Sequence, residues 1–154
     1  MALSLTSPVT GSAQTGLTSP TYTLVAGSAP DLNGRQYSVS VLGGTQTGVD
    51  VNTASKPFTL TFWWPKIVRV LQYITGSGRS IQVPMNVYKL VTRKGVICHA
   101  DLPPVVAIVT TTVEAPAGSD TLDAANLRAM MSAHIGGLTQ SSSGFGDTVV
   151  SATP

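Results

Sequence analysis

The sequence predicts an α+β fold: an antiparallel β-sheet with an N-terminal hairpin, followed by a C-terminal helix. Three observations carry this. Residues 105–113 are a β-branched run, broken at 114–118 and succeeded by a helical pattern over 120–135. Upstream, short alternating stretches are separated by Gly, Pro and Asn turns. Charged residues make up only 10% of the 154, and Thr and Ser dominate the polar ones, a composition suited to strands. The length fits one domain, 1–154, with a real core. Within it the expected divisions are an irregular arm or hairpin (1–20), a sheet region (21–115), a helical region (119–143) and a tail (144–154).

In chain order, Thr21 to Val25 alternates and reads as a strand. Asp31-Leu32-Asn33-Gly34 is a turn, and Tyr37 to Leu42 returns beside the first strand. Residues 43–48 read as a flexible connection. In Pro57 to Trp64 the residues Phe58, Leu60, Phe62 and Trp64 share one face, and Thr59, Thr61 and Trp63 the other. Pro65 breaks this strand. Residues 67–74 read as another strand and Gly76-Ser77-Gly78 as a loop. Residues 86–92 form a strand, Lys94-Gly95 marks a turn or bulge, and 96–98 continue extended. Pro103 and Pro104 lack ladder donors, so 101–104 is a loop.

In the helix, Leu127, Met130, Met131, His134, Ile135 and Leu138 fall on one face. Ser119 or Asp120 can cap its start, and Gly136-Gly137 ends or kinks it. Thr148 to Val150 suggests a last extended piece.

Charge is unevenly spread. Residues 51–100 hold Lys56, Lys66, Arg69, Arg79, Lys89, Arg93 and Lys94 and no acid. Residues 101–154 hold one base and five acids. The basic segment either pairs with that acidic third and solvent, or faces phosphate.

A sheet of five strands is roughly 20 Å across, whereas a helix covers about 10 Å. One helix cannot shield one face. Either the sheet curls into a sandwich, or a second chain supplies a second helix. The low charge favours a two-fold dimer, with each helix over the partner's sheet.

The element order, with residues 31–37 (DLNGRQY), 55–62 (SKPFTLTF), 86–95 (NVYKLVTRKG) and 141–150 (SSSGFGDTVV), resembles coat (capsid) proteins of single-stranded RNA bacteriophages. The resemblance covers most of the chain from about Thr21 and lies in order and length. It implies an interlocked homodimer whose joined sheets face inward and whose helices face outward. Dimers would assemble into an icosahedral shell around genomic single-stranded RNA in the bacterial host cytoplasm. The inner sheet would bind an RNA hairpin and repress replicase translation. The loop before the last strand, His99, Ala100, Asp101, Leu102, Pro103 and Pro104, would meet its copies at the symmetry axes.

Alternation places the sites. In the last strand Val105, Ala107, Val109 and Val113 form the side suited to helices, with Thr110 and Thr112 opposite. Lys89 and Arg93 share a side of their strand with Val91. The expected RNA-binding set is Lys89, Arg93, Thr59, Thr61, Thr110 and Thr112: cations for phosphates, threonines for bases or sugars. Each threonine also fits an ordinary solvent-face position. The expected dimer interface is Leu127, Met130, Met131, His134 and Ile135. Trp63 can stack a base or pack, and Trp64 reads as packing. His134 reads as a packed histidine.

Cys98 permits no intrachain disulfide, and His99 has too few partners for a metal site. No nucleophile elbow, phosphate loop or metal spacing is present, so neither an enzyme nor a cofactor or small-molecule substrate is expected. No apolar run reaches membrane-span length. The reading from another class is a β-rich adhesion or protein-interaction module without RNA binding.

Overall fold

The computed structural model describes residues 4–29, 31–71 and 82–153. Among these residues six strands form one sheet in sequence order, every neighbouring pair antiparallel. They are β1 (Val9–Thr10), β2 (Thr18–Gly27), β3 (Gly34–Thr45), β4 (Phe58–Trp63), β5 (Met85–Val96) and β6 (Val105–Pro116). Three helices follow: α1 (Ser119–Leu122), α2 (Ala124–Gln140) and α3 (Ser142–Ser151). The α+β class expected from sequence is present, with the antiparallel strands preceding the helices. The N-terminal arm contributes the short hairpin β1–β2.

The turn into β3 is closed by Gly34, whose N–H donates to the Asp31 carbonyl at 3.2 Å. Opposite Leu24 the pairing of β2 with β3 slips by one residue, from Leu24↔Val39 to Thr23↔Val41. This bulge returns Leu42 to the same face as Val39 and turns Val41 outward. The packed core lies on that face. Leu24, Tyr37 and Val39 are buried, with Leu5, Val9, Tyr22, Leu42, Phe58, Leu60 and Phe62 around them. Edge-on ring contacts join Tyr22 to Phe58 and Tyr37 to Phe62.

Several local expectations are corrected. Residues 43–45 continue β3 because Gly44, with φ of 73°, admits the Thr18 and Ser19 carbonyls where a Cβ would collide. Residues 67–71 are not a strand; the rest of that expected strand, and the loop 76–78, lie outside the described residues. Lys94 and Gly95 are regular members of β5, paired with Ala107 and Val106. Gly95 is needed there for close approach: its N–H donates to the Pro57 carbonyl at 2.6 Å, and a Cβ would lie 2.5 Å from Lys56 Cα. Ile97 and Cys98 leave the strand.

The helical region differs most. Gly118, at φ 90°, precedes α1, and neither Ser119 nor Asp120 caps it; the Ser119 hydroxyl donates instead to the Pro116 carbonyl at 2.6 Å. The chain breaks at Asp123, whose carboxylate receives the Asn126 amide at 2.7 and 2.9 Å. Gly136 and Gly137 lie inside α2, which ends at Ser141, where the hydroxyl donates back to the Gly137 carbonyl at 2.7 Å. Residues 148–150 belong to α3, so the expected tail is mostly helix.

Candidate nucleic-acid interface

Antiparallel partners put their side chains on the same face, so the register sorts every strand residue. One face carries Tyr37, Leu60, Phe62, Tyr88, Leu90, Val109 and Val113. The helices lie on this side: Tyr88, Val113 and Ala115 form a groove of about 260 Å³ with Leu127, Arg128, Met130 and Met131. The opposite face carries three cross-strand rows. Thr59 pairs with Arg93 and Arg93 with Ile108; Thr61 pairs with Val91 and Val91 with Thr110; Trp63 pairs with Lys89 and Lys89 with Thr112.

All six sequence-selected residues therefore share one face of three adjacent strands, away from the helices. Their accessibility differs. Lys89, Thr110 and Thr112 are exposed and Arg93 is half-buried, whereas Thr59 and Thr61 are buried, at 6% and 0% exposure. Burial removes the two threonines from the set that a ligand can reach directly. The Thr61 hydroxyl has no hydrogen-bond partner among the described residues. On β3, Gln36 and Ser38 lie opposite Thr61 and Thr59 and extend the same face. Sequence reasoning missed them, although their alternation with Arg35 and Tyr37 carried the signal. Trp63 packs its ring over Gly34, where a Cβ would sit 3.1 Å from Trp63 Cε3.

Of the two alternatives for the basic central segment, pairing with the acidic C-terminal third is not seen for its lysines and arginines among the described residues. Lys66 binds Asp31 and Lys56 binds Asp50, each at 2.7 Å, so its observed ion pairs reach back to the N-terminal third. These contacts hold both carboxyls below the usual carboxylate range. The lysine hydrogen bond is the largest cause in each case.

No protein-family model and no curated protein matches the chain. Among solved structures, the virus-like particle of bacteriophage ESE020 matches with a TM-score of 0.95 and 46% sequence identity, covering 99% of this chain and 100% of that one. The chain belongs to the RNA-bacteriophage coat proteins.

The coat-protein loop expected at the shell's symmetry axes joins β5 to β6. It turns at His99, whose carbonyl accepts the Leu102 N–H at 3.2 Å and whose Nδ1 accepts the Asp101 N–H at 3.2 Å. Its residues are exposed except half-buried Pro104. Cys98, at its entry, is a free and exposed thiol. On α2 of this coat protein, Leu127 and Met131 are half-buried over the groove. Met130 is 48% and Ile135 56% exposed, and His134 is exposed as well, where packing was expected. Within one chain the helical stripe is only partly covered.

Proposed function

We propose that this chain is a structural capsid protein that dimerises, assembles into an icosahedral shell, and binds single-stranded RNA on the sheet face opposite the helices. The observation that carries the reading is surface left uncovered. The accessible area is 10800 Å². A folded monomer of 15.9 kDa exposes about 7,400 Å². The difference, roughly 3,400 Å² on one chain, exceeds the share of about 1,000–2,500 Å² that each partner contributes to an obligate interface, and so leaves surface for contacts beyond a dimer.

Its location supports a second copy as the cover. Val105, Val109, Met130, Ile135 and Leu138 are large apolar side chains left exposed on β6 and α2. Among the described residues, β6 at one edge of the sheet has a single neighbour along 12 residues. An unpaired strand of that length is a template for another strand. Two copies joined edge to edge at β6 would continue the sheet, and the second α2 would lie beside the first. Lys89 and Arg93 would then repeat about the two-fold axis on the inner face and meet phosphates, with Thr110 and Thr112 near bases or sugars. Hairpin binding there would repress replicase translation. Assembly would take place in the bacterial host cytoplasm and end in the virion. This role is structural and non-enzymatic.

The test is expression of the chain alone in bacteria, followed by a sizing column read at 260 and 280 nm. The expected product is a very large particle carrying RNA. A clean monomer would overturn the capsid reading, and a large particle without nucleic acid would overturn the RNA part alone.

A further inference from the structure

The last helix is tied to the first hairpin. Gln14 Nε2 donates to the Ser142 carbonyl at 2.9 Å and to the Ser142 hydroxyl at 2.7 Å. The Thr15 hydroxyl donates to the Asp147 carboxylate at 2.8 Å. Gln14 and Thr15 sit in the turn between β1 and β2, which Leu17 closes with an N–H bond of 3.1 Å to the Gln14 carbonyl. That turn lies at the edge of the sheet opposite β6. Gly146 of α3 faces it so closely that a Cβ there would collide with Gln14 Oε1, while a Cβ on Gly144 would meet nothing within 4 Å.

We propose that α3 is a clasp. By closing on the β1–β2 turn of its own chain, it holds α2 across the sheet as a fixed span. Two facts require an anchor of this kind. First, α2 has 17 residues, no side-chain cap at its N-terminus and no buried residue. A helix of that length containing two glycines is marginal in water. Second, the dimensions match: α2 is about 25 Å long, and six strands place the outer two about 24 Å apart. Anchored at β6 through α1 and at the hairpin through α3, the helix bridges from edge to edge. The bridge leaves the groove along Tyr88, Val113 and Met130 open at its side. The clasp stands independently of assembly; its service in keeping that groove open to a second copy rests on the dimer reading.

The test uses the full chain with Cys98→Ser, Thr15→Cys and Asp147→Cys, oxidised and run on a denaturing non-reducing gel. The expected product is a single chain that has lost both thiols. In parallel, hydrogen exchange along residues 124–140 is compared in Gln14→Ala, which removes the donor to Ser142, and Gly144→Ala. The first should exchange several-fold faster than the second. Covalent dimers, two free thiols, or equal exchange in the two alanine variants would each overturn the clasp. A sizing column on the same samples reports assembly separately, so monomers with an intact clasp would count against the capsid reading alone.

Discussion

The side chain of Asn86 makes a two-way hydrogen bond with the backbone of Arg69. Its Oδ1 accepts the Arg69 N–H at 2.8 Å and its Nδ2 donates to the Arg69 carbonyl at 3.0 Å. Asn86 is 7% exposed and lies at the start of β5. It acts as a substitute strand for a segment that has no ladder of its own. Replacing it with Ala strands two backbone groups, with an expected cost of about 1–3 kcal/mol. Asn86→Asp should also destabilise, because it loses the donor to the carbonyl. Denaturant midpoints of the purified protein check both.

Gly95 predicts a backbone clash. An alanine there meets Lys56 Cα and the Pro57 ring, and neither is a flexible side-chain end. Gly95→Ala should cost about 1–3 kcal/mol through forced displacement of the 56–57 segment. Gly136→Ala has open space around its Cβ and should stabilise α2 by up to about 1 kcal/mol. Opposite shifts of the thermal midpoint in the two variants are the expected outcome.

Lys89 and Arg93 are the accessible cations in the candidate RNA rows. Neutralising both, as Lys89→Gln with Arg93→Gln, should lower the 260/280 ratio of particles and leave dimers intact. Each lost phosphate contact should reduce the salt slope of single-strand binding by about 0.7. Unchanged RNA content and slope would place the contacts on other residues.

Ile135 is 56% exposed on α2. Ile135→Lys should change the stability of the single chain by less than about 0.5 kcal/mol, as surface substitutions do. The same change would bury a charge against a second copy. The expected result is a small soluble species on a sizing column in place of particles.

Asp50 gives a pH dependence. The hydrogen bond from Lys56 keeps its carboxyl below the usual range, so the folded state favours the charged form. Its contribution is complete above the unfolded carboxyl's pKa and is lost as pH falls through the lowered folded value. The pair is at the surface, so the effect is small and weakens with salt. The stability difference between the natural chain and Asp50→Asn should therefore shrink as acid is added.

The antiparallel strands, the long β-branched run and the helical stripe after it were legible because period two and period 3.6 are local properties of the chain. Alternation also placed Lys89, Arg93, Thr110 and Thr112 on the face away from the helices, since a strand's two sides are set by parity alone. Parity could not say how deep each position lies. Thr59 and Thr61 alternate correctly, yet they are buried because of what packs around them. The helix boundaries escaped for the same reason. Gly136 and Gly137 have the local preference of a stop, but α2 continues through them and α3 extends beyond. Nothing in the local pattern near 142–147 pointed to Gln14 and Thr15. Contacts between the two ends of the chain depend on how far the helices reach across the sheet, and that distance exists only once all six strands are side by side.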